Sequence, residues 1–522
     1  MTSRYNGERI RVAVINCYFD ETRRIKGRPH FVPQAVGPAY LAGAFNPDLT
    51  DFVLYSELHD GPFEDAKLFS WPQMVIFTSM STAYDRMRHL AAYFRTANPE
   101  VILVAGGPAI RALPQHSSTF FDHCLSGDVE EVQDVIREEF GPRYCSEVMI
   151  PRLDLIHKWM GFVGYVESSR NCNFNCSFCS LSGEGNKYQI YDVDYIREQV
   201  NRIGYRRCVL FVDNNFYGNN YKFFLQKIDL LKELYQAKKI GGWSALVTND
   251  FFNKPQNVAL AKESGCLALF SGVESFDRDQ LLRFNKSQNL ILPQVETIVN
   301  CLEQGLGFQY GSIFDPTNRP LSEIRDEIHF ITGNALIPLP AFMNLTIPIL
   351  RTPYFYECLE KDLLLPHTKL CDMDGNTVVM KALDPVEEVV DFLKDLPTLV
   401  GYKKRVAKHA FRFWRRYSKK LTLLQKISMV GNSALLCLPA LAHNHSGIFK
   451  NNKRQVPPRT YITTTEPLSP LYTPNFPVAD RYRHYFEPTM VTDANGALHE
   501  DLAADLMLVP KVEARAKEIQ RV

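Results

Sequence analysis

Short apolar runs alternate with amphipathic stretches over the first part of the chain. The runs predict strands at Arg11–Ile15, Phe52–Tyr55, Met74–Phe77, Val101–Ala105 and Phe121–Leu125. The stretches between them, such as Ala83–Ala97, have helical spacing. Continuous apolar strands that alternate with helices are typical of a parallel sheet covered on both faces. We therefore predict an α/β fold that begins with a Rossmann-like, doubly wound domain over residues 1–145.

The alternation resumes after residue 162 with a second set of strands. They are predicted at Phe162–Val166, Cys208–Asp213, Trp243–Val247, Leu267–Val273, Phe308–Phe314 and Phe342–Ile347. Six strands separated by helices predict a partial (β/α)6 barrel over residues 146–385. Parallel barrels carry their chemistry at the carboxyl ends of the strands, so the residues that follow these strands are the candidate site.

The pattern changes beyond Asp395, because no acidic residue follows until Glu466. Lysine and arginine alternate with apolar residues between 402 and 426, which predicts basic amphipathic helices within a mainly helical region at 386–460. These helices have three interpretations: contact with a membrane surface, a helical cap on the barrel, or a lid over anionic cofactor tails. An apolar stretch at 433–442 is too short to span a bilayer. Residues 461–522 predict an extended, Pro-rich arm that ends in a charged helix.

Composition limits the class of protein. The chain has 45% hydrophobic and 22% charged residues and a net charge of +1, which is ordinary for a soluble protein and argues against nucleic-acid binding. Most of its 12 cysteines are scattered, without the spacing of a secreted disulfide framework. We expect a cytoplasmic protein, with peripheral membrane contact through 402–426 as an addition to that expectation.

Three cysteines stand in a CxxxCxxC spacing directly after the first predicted barrel strand. They are Cys172, Cys176 and Cys179, with the aromatic Phe178 before the last. A cubane iron–sulfur cluster needs four ligands, so three thiolates leave one iron open to an outside ligand. The alternative is a zinc knuckle, but zinc sites normally show a second CxxC or His pair that completes a tetrahedron.

This loop resembles the signature of the radical S-adenosylmethionine (SAM) superfamily, in which the open iron of a [4Fe-4S] cluster chelates SAM. Two further segments at strand ends resemble that superfamily in kind: Asp213-Asn214-Asn-Phe216, and Gly272-Val-Glu274-Ser275. The resemblance implies SAM contacts from Phe178, Asp213, Asn214, Gly272, Glu274 and Ser275. Leu282–Lys286 is also similar to a segment of one branch, whereas Arg351 stands where that branch usually has glycine.

The first domain resembles the cobalamin-binding domain that precedes the barrel in the same branch. The resemblance is carried by the helix that starts at Gly37, by Gly106-Gly107-Pro108 and by Gly127-Asp-Val-Glu130. It implies cobalamin contacts from Ser79, Ser81, Gly106, Gly107 and Gly127. The DxHxxG motif that supplies a histidine to cobalt is absent. A Rossmann-like domain without a cofactor is one alternative, and a second cluster on Cys17, Cys124 and Cys145, as in tRNA methylthiotransferases, is another.

The resemblance implies a cobalamin-dependent C-methyltransferase that acts on an unactivated carbon through a 5′-deoxyadenosyl radical. One alternative is a radical SAM enzyme of this branch that does not methylate, such as an oxidative ring-former. Another is a non-enzymatic redox or lipid-sensing protein that carries a cluster. The expected partners are a small or lipid-like substrate and a one-electron donor such as flavodoxin or ferredoxin. The sequence assigns no general acid or base.

Overall fold

The computed structural model describes residues 9–18, 36–185, 187–401, 403–430, 457 and 459–507. The apolar stretch at 433–442, the charged helix predicted at 511–522 and residue 402 of the basic segment lie outside these residues. The strands, in chain order, are β1 Ile10–Asn16, β2 Thr50–Ser56, β3 Met74–Thr78, β4 Ile102–Gly106, β5 His123–Leu125, β6 Val163–Val166, β7 Ser169–Arg170, β8 Gln189–Ile190, β9 Cys208–Phe211, β10 Trp243–Val247, β11 Cys266–Glu274, β12 Gly307–Phe314 and β13 Phe342–Leu345.

Helices separate most of these strands, as the apolar spacing predicts. In the first half they are α1 Gly37–Ala42, α2 Glu57–Asp60, α3 Tyr84–Ala97, α4 Pro108–Ala112, α5 Pro114–Ser118, α6 Val132–Glu139, α7 Ser180–Glu184, α8 Val193–Ile203, α9 Tyr221–Gln236 and α10 Gln256–Glu263. The later helices are α11 Arg278–Arg283, α12 Gln294–Glu303, α13 Leu321–Gly333, α14 Pro353–Glu360, α15 Val386–Gly401, α16 Lys403–Arg416, α17 at 423–430 and α18 Glu500–Leu506.

The strands form two parallel sheets. The first has the order β2-β1-β3-β4-β5, and the second has the order β13-β12-β11-β10-β9-β6. All neighbours within each sheet pair in parallel. The second sheet is an open half-barrel, because β6 and β13 are its two edges. The predicted fold class is confirmed, and the domain boundaries at 145, 385 and 460 stay predictions.

The first sheet is buried on both faces by different parts of the chain. Val12 and Val14 belong to a core shared with the half-barrel, whereas Ala13 and Ile15 belong to a second core. This split follows from the period of two along a strand. The second core also contains Phe355, Phe486 and Leu502, so residues from the barrel's end and from the C-terminal arm cover that face.

The C-terminal arm is attached to the first sheet's helices by buried polar contacts. The Arg88 guanidinium donates to Thr489 Oγ1 at 2.8 Å, and Tyr472 donates to Asp85 at 2.5 Å. The Asp505 carboxylate accepts the backbone amides of Gln115 and His116, both at 2.9 Å. Among the described residues, no helix is both long enough and apolar enough to cross a membrane.

Candidate active site

The cysteine loop leaves the carboxyl end of β6 and is closed at its base. β7 and β8 pair antiparallel, Ser169 with Ile190 and Arg170 with Gln189, so the intervening residues form a closed loop. Asn171 adopts a left-handed φ of 63°, and its side-chain amide donates to the Lys187 carbonyl at 3.0 Å. The base of the loop is therefore fixed by the backbone before any ligand binds.

The middle of the loop is held by residues that follow β11. The Ser177 amide donates to the Phe284 carbonyl at 3.0 Å, and the rings of Phe178 and Phe284 lie 4.7 Å apart. Asn285 donates to the Asn175 carbonyl at 2.7 Å. The Leu282–Lys286 segment noted in the sequence is thus a support for the cysteine loop. Phe178 reaches this support, and a contact of its ring with SAM stays a prediction.

The three thiols lie in one electrostatic environment. Burial raises the pKa of Cys172, and it raises the pKa of Cys179 to about 12; the neighbouring cysteines add to both shifts and Lys286 opposes them. The buried Cys176 sulfur accepts a hydrogen bond from the Gln288 side-chain amide at 3.6 Å. Buried thiols of this kind become thiolates when cationic iron binds them.

The donor set was tested for its fit to a cluster. Within the described ranges, no three His, Cys, Asp or Glu side chains converge tightly enough to hold a single metal ion. A cubane does not require that convergence, since each cysteine binds a different iron. The three thiols interact electrostatically with one another, and the Cys176 sulfur accepts a hydrogen bond from a side-chain amide. This donor set fits a three-cysteine cluster with an open iron.

Glu274 lies at the carboxyl end of β11, in a strained conformation. Its φ is +61°, beside an irregularity in the β11–β12 register between Ser271 and Glu274. Its buried carboxylate pairs with Lys286 Nζ at 2.6 Å. A Cβ on Gly272 would collide with both members of this pair, which explains the glycine there. The pair places one anion and one cation next to the cysteine loop.

Other predicted SAM residues have their polar groups occupied by the protein. The Ser275 hydroxyl donates to Glu327 at 2.8 Å, and the Asp213 carboxylate accepts from the Ser168 amide at 2.7 Å and from Ser169. Both residues are buried, so their observed role is to hold strand ends in position. A contact of either residue with SAM stays a prediction that these bonds do not support.

Asn214 and its neighbour Asn215 differ in position. Asn214 is exposed, whereas Asn215 is buried and donates to Asn173 in the cysteine loop at 2.7 Å. Asn215, Lys286 and Gln288 are therefore site residues that the sequence reasoning did not assign. The signal for Asn215 and Lys286 was available, because each lies in a segment already singled out; Gln288 carried no such signal.

The predicted cobalamin loops meet at the carboxyl edge of the first sheet. Gly107 has a φ of +116°, and a Cβ on it would lie 2.8 Å from the Ser79 carbonyl oxygen, so the two loops touch only because residue 107 is glycine. Gly106 ends β4 beside Leu125 of β5. The Gly127 amide donates to the Glu131 carboxylate at 2.9 Å, and the Ser79 hydroxyl faces the Met87 sulfur at 2.9 Å.

A small cavity of about 10 Å³, enough for one water molecule, lies where this edge meets the helix that follows the cysteine loop. Its walls come from both sheets: Ser81, Pro108, Arg111 and Ala112 from the first, and Ser180, Gly183, Glu184, Ile349 and Leu350 from the half-barrel side. α7, which contributes Ser180 to Glu184, begins directly after Cys179. The Arg111 guanidinium comes from the first domain and pairs with Glu184 of α7 on the opposite wall. It also pairs with Asp128 of its own domain, at 3.1 Å.

The edge was also tested for its fit to a corrinoid. Crevices at the carboxyl ends of parallel strands are the usual ligand sites of this fold. The loops here present glycines and small hydroxyl residues, and Met80 between Ser79 and Ser81 is 70% exposed. Close backbone approach and an exposed apolar side chain fit a large, flat cofactor. Of the predicted residues, Ser81 lines the cavity itself.

One sequence observation is settled by the backbone. Arg351 has a φ of +64°, a conformation that favours glycine, which is the physical reason why a glycine is usual there.

Two of the three cysteines of the proposed second cluster are far apart. Cys17 follows β1 and Cys124 lies in β5, with β3 and β4 between those strands. At about 4.8 Å per strand they are separated by roughly 14 Å. The second cluster on Cys17, Cys124 and Cys145 is therefore wrong.

A parallel half-barrel with a three-cysteine loop after its first strand defines the radical SAM class. Residues 166–318 match the family model described as Radical SAM superfamily, so the chain carries a radical SAM domain over those residues. That class implies a [4Fe-4S] cluster and SAM as its cofactors.

Particular relatives narrow the class. The chain is similar to bacteriochlorophyllide d C-8(2)-methyltransferase of Chlorobaculum tepidum, with 25% identity over 340 residues that cover 59% of this chain and 73% of that protein. It is also similar to hopanoid C-2 methylase of Rhodopseudomonas palustris, with 24% identity over 352 residues, or 63% of this chain and 64% of that protein. The chain thus spans just under two thirds of the hopanoid methylase.

Among solved structures, the cobalamin-dependent S-adenosylmethionine radical enzyme OxsB, with aqua-cobalamin and S-adenosylmethionine bound, shares the fold. The TM-score is 0.55 at 14% sequence identity, and the match covers 85% of this chain and 78% of that chain. The match therefore extends over both sheets and beyond the barrel. The fold that the resemblance to the cobalamin-binding branch predicts is confirmed.

Proposed function

We propose that the protein is a cobalamin-dependent radical SAM C-methyltransferase. The observation that carries this proposal is the contact between the carboxyl edge of the first sheet and α7, because it places the predicted corrinoid edge beside the helix that follows Cys179. Two cofactors held next to each other can act on one substrate, which is an advantage of position. The methyltransferase names of the two relatives support the same reaction class.

When bound, the cofactors supply a 5′-deoxyadenosyl radical from SAM and a methyl group carried by cobalamin. The chain's own residues hold and shield them. Cys172, Cys176 and Cys179 would ligate three irons, and the Gln288 amide would donate to the Cys176 sulfur. Glu274 and Lys286 would offer opposite charges to the amino and carboxylate groups of SAM. Arg111 joins the two walls through its ion pair with Glu184.

The substrate class is a small or lipid-like molecule. The two relatives are named for a chlorophyll-type pigment and a hopanoid, which are large and mainly apolar. The cavity wall contributed by Ile349, Leu350, Pro108 and Ala112 is apolar as well. We propose a substrate with a largely apolar skeleton, whose reacting carbon lies between the cysteine loop and the first sheet.

The first experiment measures cofactor content and SAM products. Anaerobically reconstituted protein is incubated with SAM and dithionite, with and without cobalamin. The proposal expects 5′-deoxyadenosine in both cases, and S-adenosylhomocysteine only when cobalamin is added. Formation of 5′-deoxyadenosine without any S-adenosylhomocysteine would support a non-methylating radical reaction. Absence of both products would favour the non-enzymatic alternative. Cys176→Ala should lose the 5′-deoxyadenosine, whereas Cys145→Ala, outside the loop, should retain it.

The second experiment tests the cavity. Ser81→Tyr places a bulky side chain on the cavity wall without touching the cysteine loop. The proposal expects less bound corrinoid with unchanged iron content, measured by optical spectroscopy and metal analysis. Ser70→Tyr, at an exposed position of the same domain, is the matched control and should bind corrinoid normally. Equal corrinoid content in Ser81→Tyr and the unmodified protein would contradict binding at this cavity.

A further inference from the structure

The basic face is the outer surface of α16 and of the turn that follows it. Its exposed cations are Lys404, Arg405, Lys408, Arg412, Arg415, Arg416, Lys419 and Lys420. Glu303 is the acid that the structure places beside them, 3.7 Å from Arg416 and 3.5 Å from Lys420. Within the described residues, Glu303 is the carboxylate within ion-pair distance of these eight cations, so most of their charge is not neutralised by a direct ion pair, on a chain whose net charge is only +1.

The apolar stripe of α16 faces the protein. Val406, His409 and Phe413 are buried, and the Tyr417 hydroxyl donates to the Leu336 carbonyl at 2.7 Å. The amphipathic spacing seen in the sequence is therefore used to cap the half-barrel. Any further partner must bind the opposite face of the helix, where the cations project.

Large apolar side chains are exposed next to these cations. Phe411 is 67% exposed on α16, and Leu423, Leu424 and Ile427 are 62%, 52% and 54% exposed on and beside α17. The last three share one side of α17, since they lie one and four residues apart along a helix. Exposed apolar groups among lysine and arginine are typical of surfaces that insert into the headgroup region of a bilayer.

The position of α17 shows which end of the barrel carries this surface. The Gln425 side-chain amide donates to the carbonyls of Leu267, at 2.6 Å, and Gly305, at 3.1 Å. Leu267 is the second residue of β11, and Gly305 precedes β12, so α17 lies at the amino end of the strands. The cysteine loop follows the carboxyl end of β6. The surface is therefore on the opposite end from the candidate active site.

We propose that the basic face docks the protein on an anionic lipid bilayer, as a tether that leaves the active-site end of the barrel facing away from the membrane. The cations would neutralise lipid phosphates and carboxylates, and the four apolar side chains would enter the interface. Nucleic acid would offer phosphates to the cations, but it would not bury the exposed apolar side chains Leu423, Leu424 and Ile427.

The test is cosedimentation of the full chain with vesicles of phosphatidylcholine alone and with 30% phosphatidylglycerol. Binding only to the anionic vesicles is expected. Lys408, Arg412 and Arg415 changed together to Glu should lower the partition coefficient by at least about 100-fold, at roughly fivefold per cation lost, because the new carboxylates add repulsion. Phe411, Leu424 and Ile427 changed together to Ser should lower it while retaining the charge.

Two controls make the result decisive. Lys222, Lys238 and Lys239, exposed on and after α9, are changed to Glu as a triple variant of equal charge that should bind vesicles normally. Iron content and SAM cleavage in vesicle-free solution should be unchanged in every variant, since none of these side chains has a hydrogen bond or ion pair with the cysteine loop in the described part of the chain. Equal loss of binding in the α9 variant would overturn the proposal. So would binding to RNA that competes with vesicles and is insensitive to the apolar substitutions.

Discussion

Lys286→Met removes the cation of the buried pair beside the cysteine loop and leaves the Glu274 carboxylate unpaired. Both side chains are more than 90% buried, and Lys286 Nζ lies 2.6 Å from Glu274 Oε1. Removal of one partner of a buried ion pair costs about 3–5 kcal/mol. Unfolding of 522 residues carries an entropy of about 1.1 kcal/mol/K at 2.1 cal/mol/K per residue, so the expected fall in Tm is about 3–5 °C.

Calorimetry of the protein without its cluster measures this fall. Lys286→Met combined with Glu274→Gln should recover most of the lost stability, because no uncompensated charge stays buried. The matched control is Lys232→Met, whose exposed pair with Glu263 at 3.4 Å is worth about 0.2–1 kcal/mol and should change Tm by less than about 1 °C. A shift in Lys286→Met no larger than this control, or no recovery in the double variant, would refute the reasoning.

Three further predictions concern the cluster, the first sheet and pH. Gln288→Leu removes the N–H···S hydrogen bond to Cys176. It should lower the cluster's reduction potential by about 40 mV, because a bond worth about 1 kcal/mol corresponds to that potential for one electron. An EPR redox titration measures the potential, and the exposed control Gln304→Leu should leave it unchanged. Gly107→Ala should lower the free energy of unfolding by about 2–4 kcal/mol, because φ is +116° there and the new Cβ would meet the Ser79 carbonyl. Gly37→Ala, with open space around it, should be nearly neutral. Equal denaturation midpoints for the two variants would contradict this prediction. Burial lowers the pKa of Lys227 from 10.5 to about 8, so the unfolded state binds more protons at this residue between those values, and the contribution of Lys227 to stability should rise with pH from 8 to 10. The difference in unfolding free energy between the unmodified protein and Lys227→Met, measured by chemical denaturation, should therefore shift in favour of the unmodified protein as pH rises from 8 to 10, and a pH-independent difference would contradict this.

Most elements of the two sheets could be predicted, because their burial repeats at short range. The predicted strands Arg11–Ile15 and Met74–Phe77 lie within β1 and β3, and helix α3, Tyr84–Ala97, lies within the predicted stretch Ala83–Ala97. The candidate site could be predicted only in part. Asn214 was chosen over Asn215 because the sequence cannot tell which of two adjacent amides is buried at the cysteine loop. The contact of Ser275 with SAM stays a prediction, and the sequence could not show that the Ser275 hydroxyl donates to Glu327, 52 positions away.

The sequence by itself determined the three-cysteine spacing, the two alternating α/β patterns and the basic segment. Each of these is a local property, since ligand spacing and apolar period are written within a few residues. Only the tertiary structure decided what surrounds the thiols and where the basic helices lie. Gln288 reaches Cys176 across 112 residues, and Gln425 reaches Leu267 across 158. Such contacts depend on how the chain packs, which no local pattern encodes.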